Sequence, residues 1–312
     1  MENRIQMKDR VRFVYLVHGG QEFYRQAVLS ISSLAGKMPF DGEILVYTDR
    51  PGKFENLPVE PVLLSKRRIK SWQGPYRFNH RMKIELLRDL FTPGEGHLVY
   101  VDSDTFWMEG PDRIFEFLRG GHAVMYEREH DLSKNFFPEY LSVLSDEAVM
   151  KEAGLPVAPG GPLWMVNAGI LGLPSTMDPS VLEEVLRTCD LLSIAVPFKM
   201  MWVEQTAYTY IFQSRGMEIK TCAAEVLHYW RDSFEFNRLM KKFSEKELRE
   251  LGKKPAQVLE LIEEGRKSRR SLRNQFLLRV KRVQRSINKR RMESLVFLEK
   301  LKSKLWSPKG RD

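Results

Sequence analysis

The run LVYVDSDTF (98–106) sets two carboxylates, Asp102 and Asp104, two residues apart behind a hydrophobic stretch. Off an extended chain, side chains two apart point to the same side, so both acids face one spot. Like charges held that close repel unless a cation lies between them. Hard oxygen donors suit Mg²⁺ or Mn²⁺, and such an ion in turn binds a diphosphate. The plainer alternative is that both acids are turn and cap residues ahead of Pro111. Two other polar segments follow hydrophobic runs in the same way: His18-Gly19-Gly20 and Asp49.

The elements that carry these residues alternate. RFVYLV (12–17), EILVYTD (43–49), HLVYVDSD (97–104) and AVMYE (123–127) read as buried strands. Apolar residues at helical spacing over 21–35 and 79–91, and a short run after Pro111, predict helices between them. Alternation of this kind implies an α/β fold with a mixed, mainly parallel sheet flanked by helices, whose ligands bind at the strands' carboxyl ends. Farther on, GLPVAPGGP (154–162) reads as a loop, NAGILGLP (167–174) as a strand, 178–192 and 204–215 as helices, and VLHYW (226–230) as a strand. The pattern D-x-D-x-T/V of haloacid-dehalogenase-like phosphatases shares the acidic letters. Here Thr105 stands one position early, and two strand–helix units precede the acids.

YVDSDTF, NAGILGLP, EQTAYTY and VLHYW occur in that order and together resemble the nucleotide-sugar-dependent glycosyltransferases of the GT-A fold, closest to glycosyltransferase family 8. The resemblance covers residues 11–232 and implies a catalytic domain over 1–234, with a basic, mainly helical extension over 235–312. It implies that Asp102 and Asp104 form a DXD motif and, with His228, hold Mn²⁺ or Mg²⁺. Asp102 also touches the ribose, beside Ser103 in the donor site. Val17, His18 and Gly19 line the base and ribose pocket, and Asp49 reads the base edge. Arg81 and Lys83 contact the diphosphate and the sugar, and Asn167 and Gly169 line the sugar pocket. Glu204 binds sugar hydroxyls, and Gln205 lies beneath the reacting carbon. The implied reaction moves a sugar from a nucleoside-diphosphate donor, UDP favoured, to a hydroxyl of a glycan or lipid-linked acceptor, with retention of configuration.

Plainer readings stand beside these. His228 before Tyr-Trp is a packed ring, Arg81 and Lys83 are a solvated helix face, Asp49 opens the Arg50-Pro51-Gly52 turn, and Glu204 favours a first helical turn. The chain departs from family 8 in two places: Tyr229-Trp230-Arg231-Asp232 follows the histidine where a Gly and a Lys-Pro-Trp stretch are usual, and Thr206 replaces a second Asp. A non-catalytic scaffold that holds a nucleotide sugar, membrane or partner, and a phosphatase, are the alternative functions.

Charge is uneven. Residues 266–312 hold 17 Lys/Arg and 3 Asp/Glu, a net of +14, which leaves −5 of the overall +9 on residues 1–265. Leu272, Phe276, Val280, Val283 and Ile287 recur at helical spacing among basic residues, with Leu277 and Leu278 beside Phe276. An amphipathic basic helix of this type fits an anionic membrane surface, or packs on the body or a second subunit. Nucleic acid fits poorly, because the run lacks interleaved aromatics. With two cysteines and no apolar run of spanning length, the expected place is the cytoplasm, peripheral at the inner membrane face.

Overall fold

The computed structural model describes residues 10–38, 42–132, 138–157, 161–196 and 202–269. The first half runs β1 (Val11–Val17), α1 (Gln21–Ala35), β2 (Glu43–Thr48), β3 (Glu60–Leu63), α2 (Lys66–Trp72), α3 (Arg81–Leu90), β4 (His97–Val101), β5 (Thr105–Trp107), α4 (Asp112–Arg119), β6 (Ala123–Met125) and β7 (Arg128–Asp131). The second half continues with α5 (Pro138–Leu144), α6 (Glu147–Glu152), β8 (Trp164–Val166), β9 (Ile170–Leu173), α7 (Ser180–Ala195), α8 (Val203–Ser214), β10 (Ile219–Thr221) and β11 (Val226–His228). Helices α9 (Ser233–Met240), α10 (Glu245–Leu251) and α11 (Pro255–Arg269) complete the described chain.

Seven strands form one sheet in the order β10-β6-β9-β4-β1-β2-β3. Every neighbouring pair is parallel except those of β9, which runs antiparallel to both β4 and β6. The fold is therefore the mixed, mainly parallel α/β sheet that the alternating pattern implies. Period-2 geometry explains why its central strands read as unbroken apolar runs. Phe13, Tyr15, Val99 and Val101 enter one core with Tyr24, Leu29 and Ile31 of α1. Val14, Leu98 and Tyr100 enter the other, with Ile84 and Leu87 of α3 and Val203 and Ala207 of α8. Helices cover both faces, so neither side of a central strand is left for polar residues.

One expected strand is shorter than its sequence run. HLVYVDSD yields a strand only to Val101, and Asp102 to Asp104 form a turn into β5. The Thr105 hydroxyl donates to the Asp102 carbonyl at 2.9 Å, and the Tyr229 amide donates to the Asp104 carbonyl at 3.1 Å. These bonds take the backbone out of the sheet. β5 pairs instead with β11, opposing His228 to Thr105. The histidine therefore reaches the acidic turn from a sequence distance of more than 100 residues.

The first compact unit extends to Ile262, and the second begins at Glu263. Phe236, Met240, Leu248 and Leu251 of α9 and α10 share the core that α1 occupies. Of the second unit, residues 263–269 are described, as the end of α11. The basic segment from residue 270, with Phe276, Leu277 and Leu278, lies outside the described residues, as do residues 158–160 of the Pro/Gly-rich loop.

Candidate active site

β1 has β2 on one side and β4 on the other. The chain leaves β1 toward β2 through α1 and comes back to β4 through α3. The strand order thus reverses between β1 and β4, which opens a crevice at their carboxyl ends. The register Val17↔Thr48 and Tyr15↔Val101 places His18, Asp49 and Asp102 just past three adjacent strand ends. A cleft of about 440 Å³ lies there, within the size range of small-molecule sites. His18, Lys83, Asp102, Ser103, Asp104, Asn167, Gly169, Glu204, Gln205 and His228 all line it.

Asp102, Asp104 and His228 each offer one ligand atom, and these atoms lie within 4.8 Å of one another. His228 Nε2 is 3.1 Å from Asp104 Oδ1 and 4.0 Å from Asp102 Oδ2. Its Nδ1 is 3.0 Å from Asn167 Oδ1, which also accepts the Gly169 amide at 2.9 Å. Tyr126 packs edge-on against the ring at 5.3 Å. A Cβ at Gly169 would fall 2.3 Å from His228 Nδ1, so only glycine leaves room for the ring here. Two carboxylates and an imidazole whose far nitrogen is anchored form a suitable donor set for a divalent cation.

The electrostatics agree. Burial disfavours an imidazolium at His228, yet Asp104 and Asp102 overcome it and raise its pKa above the usual value. Burial pushes the Asp104 carboxyl up, but the His228 partner wins and holds it below the ordinary range. Asp102 goes the other way: burial raises it, and the opposing pull of Lys83 does not cancel that rise. With its histidine neutral, the corner sets the carboxylates Asp102, Asp104 and Glu204 against the single ammonium of Lys83. That surplus of buried negative charge is what a bound cation would neutralise.

Lys83 is 3% exposed. Its Nζ pairs with the Glu204 carboxylate at 2.8 Å and donates to the Ala168 carbonyl at 2.9 Å and to Asp102 Oδ2 at 3.3 Å. Burial opposes its charge, but Asp102 and Glu204 hold its pKa above the ordinary lysine value. The amide of Gln205 is fixed at both ends: Oε1 accepts from the Ala168 amide at 3.3 Å, and Nε2 donates to Glu129 at 2.9 Å. Lys83 thus pins Glu204 and Asp102 together, and both expected sugar-facing residues are held at the cleft wall.

The remaining expected residues do not line the cleft. Val17 is buried in the core with α1. Gly19 takes a left-handed φ of 92° in the turn between β1 and α1. Asp49 accepts a short hydrogen bond from the Tyr24 hydroxyl, whose pKa burial and Asp49 push up to about 12. His18, on the cleft side of this group, has its pKa lowered by burial against the pull of Asp49. Arg81 is occupied elsewhere: it donates to Asp190 at 2.6 Å, to Glu85 at 2.7 Å and to the Trp72 carbonyl at 2.9 Å. Residues two apart on a helix diverge by about 200°, so Arg81 and Lys83 leave α3 on different sides.

Several lining residues lie outside the sequence expectation. Asn79 and His80 open α3, with His80 Nδ1 3.8 Å from Glu204. Tyr100 lies beneath Lys83 Nζ at 4.8 Å from its ring centre. Trp202 lines the cleft from a left-handed φ of 72°, a strained conformation for so large a residue. Trp230 follows the histidine strand, with the Arg231 guanidinium over its ring at 5.0 Å. The Tyr100 and Trp230 signals were present as neighbours of the two motifs; Trp202 has no local sequence signature.

Among solved structures, the chain is similar to the apo form of mouse xyloside xylosyltransferase 1, with 11% identity over 68% of this chain and 85% of that one, at a TM-score of 0.44. It is also similar to the apo bifunctional glycosyltransferase WbbM, with 10% identity, 68% and 38% coverage, and a TM-score of 0.40. The apo glycosyltransferase GlyE of Streptococcus pneumoniae TIGR4 gives 14% identity, 68% and 45% coverage, and a TM-score of 0.41. The chain thus spans less than half the length of the latter two. No family model and no curated protein matches it.

Proposed function

We propose that the chain is a metal-dependent glycosyltransferase that moves a sugar from a nucleoside-diphosphate donor to a hydroxyl acceptor. The observation that carries this reading is the Asp102–Asp104–His228 cluster, with its surplus negative charge, at the carboxyl-end crevice between β1 and β4. Asp102, Asp104 and His228 would hold Mn²⁺ or Mg²⁺. When bound, the ion supplies neutralisation of the charge that develops on the departing diphosphate.

The chain's own groups orient the rest. Lys83 holds the Glu204 and Asp102 carboxylates in place. Glu204 then accepts hydrogen bonds from sugar hydroxyls, and the pinned Gln205 amide presents a neutral face beneath the reacting carbon. Transfer breaks the donor's carbon–oxygen bond, whose electron pair leaves with the diphosphate. A bond from the acceptor oxygen forms, and the acceptor's proton passes to the departing oxygen. Retention of configuration, a UDP donor and a glycan or lipid-linked acceptor are the finer form of the proposal. So are attachment of the basic segment to an anionic membrane and a cytoplasmic location. No helix among the described residues is long and apolar enough to cross a membrane.

The test is thermal unfolding of the full chain with UDP, GDP, CDP and ADP, each with and without Mn²⁺, beside Asp104→Asn. A ligand at 100 times its Kd stabilises by about 2.7 kcal/mol, a shift of several degrees. The expected result is a shift with UDP that requires Mn²⁺ and is lost in the variant. Absence of a shift with every nucleotide sinks the donor reading. Nucleotide binding without sugar transfer points to a scaffold. Hydrolysis of simple phosphate esters that Asp102→Asn abolishes points to a phosphatase. For the membrane proposal, the full chain is expected to sediment with anionic but not with neutral vesicles.

A further inference from the structure

Glu129 lies outside the cleft lining, yet its two carboxylate oxygens each hold an amide that reaches the site. Oε1 accepts from Asn167 Nδ2 at 3.0 Å, and Oε2 accepts from Gln205 Nε2 at 2.9 Å. We propose that Glu129 is a positioning residue that supports the Nδ1–H tautomer of His228 through Asn167, and fixes the Gln205 amide directly. The first half rests on the metal-site reading above; the second does not.

The argument begins with two consecutive backbone donors. The Gly169 amide donates to Asn167 Oδ1 at 2.9 Å, and the Ala168 amide donates to Gln205 Oε1 at 3.3 Å. A backbone N–H can only donate and an ionised carboxylate can only accept. Each side-chain amide is therefore held at one end by an obligate donor and at the other by Glu129, and neither can flip without losing both bonds. An unflipped Asn167 offers His228 Nδ1 an acceptor at 3.0 Å, while Asp104 Oδ1 offers Nε2 another at 3.1 Å, so the two compete for the neutral ring's proton and the Nδ1–H form is the one Asn167 supports. In that form the lone pair of the neutral ring is on Nε2, the nitrogen that faces Asp104 and Asp102.

Strand geometry independently singles out the same residue. In the β7–β8 pair, Arg128 opposes Val166 while His130 opposes Met165, so Glu129 is the extra residue of a bulge. A bulge re-aims one side chain out of the ladder, and bulges gather beside active sites. β8 leads directly into Asn167, so the re-aimed carboxylate and the amide it holds leave the same two-stranded sheet. Only an acid meets the need. A glutamine at 129 would present one oxygen and one NH₂ to two NH₂ groups, and one of the two amides must let go.

The experiment compares the full chain with Glu129→Gln, Asn167→Ala and the double variant, using Mn²⁺ alone as the titrant in calorimetry. Outer-shell partners of this kind are typically worth about 10–100-fold in metal affinity. Glu129→Gln is expected to weaken Mn²⁺ within that range, and to add less than about twofold in the Asn167→Ala background, where the link is already cut. The second readout needs no metal: ¹⁵N shifts of His228 in alkaline buffer report the tautomer. The wild type is expected to populate the Nδ1–H form beside the Nε2–H form that Asp104 favours, and Glu129→Gln to shift toward Nε2–H. Glu129→Asp, which keeps both acceptor oxygens, is expected to retain the wild-type tautomer balance if the glutamine variant folds poorly. An unchanged tautomer and affinity in a folded Glu129→Gln overturn the proposal. A wild type that shows the Nδ1–H form but binds no Mn²⁺ overturns the metal site and leaves Glu129's hold on the ring standing.

Discussion

Two charge clusters flank α3, and they differ in how their charges are balanced. On one side Arg81 and Arg88 interlock with Glu85, Asp190 and Glu183, so that cations and anions alternate at contacts of 2.6–2.9 Å. On the cleft side Lys83 faces Glu204 and Asp102, with Asp104 beyond them. The first cluster is one positive charge short, but its Asp190 and Glu183 carboxylates are 36% and 53% exposed, where water screens the difference. The second is two positive charges short and more deeply buried, and the molecule compensates by favouring a protonated His228. A nearly balanced, water-screened network ties elements together, here α3 to α7. An unbalanced one, buried at the end of a sheet, is poised for a ligand.

The largest effect that could break this contrast comes from Asp104→Asn. The variant keeps shape but removes one ligand charge and the partner of His228. Mn²⁺ affinity is expected to fall by more than the ~10–100-fold typical of outer-shell losses, as read by calorimetry. A variant that binds Mn²⁺ like the wild type would mean that the corner is not a metal site.

Next come the two bases of α3. Lys83→Met leaves Glu204 and Asp102 buried without their ammonium, and breaking a buried pair costs about 3–5 kcal/mol. Arg81→Met breaks contacts whose acidic partners include the more exposed Asp190, and about 1–3 kcal/mol is expected. Urea unfolding measures both. The sharper readout is rescue. Saturating Mn²⁺ is expected to recover part of the loss in Lys83→Met, because it restores positive charge to an acidic corner. In Arg81→Met it adds no more than it adds to the wild type, and the nucleotide-dependent shift persists. Equal rescue of the two would erase the distinction between the clusters.

Gly169→Ala tests geometry without changing charge. The added carbon would stand 2.3 Å from His228 Nδ1, so the ring must move away from Asn167. Mn²⁺ affinity is expected to drop about 10-fold or more, with the carboxylates untouched. If affinity is unchanged, the ring's position does not matter and His228 is not a ligand.

The sequence carried the site where chemistry and strand ends coincide. Asp102 and Asp104 stand out because two acids after five buried residues have few structural reasons to be there, although the chain turns at Asp102 where an extended strand was expected. Helix α1 was legible to the residue, from apolar spacing between Gly20 and Gly36. Arg81 and Lys83 looked equivalent on paper. Helical rotation separates them, and the acid that claims Arg81 comes from α7, 109 residues away. Glu129 was invisible for a related reason. Its role depends on a bulge and on two distant amides, and neither the three-residue strand β8 nor the bulged β7 has a periodic pattern long enough to read. Long-range polar pairing is what a single sequence hides, because nothing in an acid's neighbours says which amide it will meet.

The smallest expected effect concerns protons and sharpens the comparison most finely. In the metal-free protein His228 has a pKa raised above its ordinary 6.5. A group whose folded pKa is raised stabilises fully below the unfolded value and loses that contribution as pH rises through the folded one. The stability difference between wild type and His228→Gln is therefore expected to shrink as pH climbs from below 6.5 through the higher folded value. Mn²⁺ binding has the opposite sign, because Nε2 must shed its proton before it can donate a lone pair. Over the same window Mn²⁺ affinity is expected to rise, by up to about tenfold per pH unit for one released proton, and to level off above it. Arg81→Met, in the screened cluster, is expected to leave both curves unchanged in shape. Opposed slopes for stability and affinity would show that proton and metal compete for one vacancy in the charge balance. Parallel slopes would mean that His228 answers only to Asp104, as Arg81 answers to Asp190, and the cleft corner would then be one more closed ion pair.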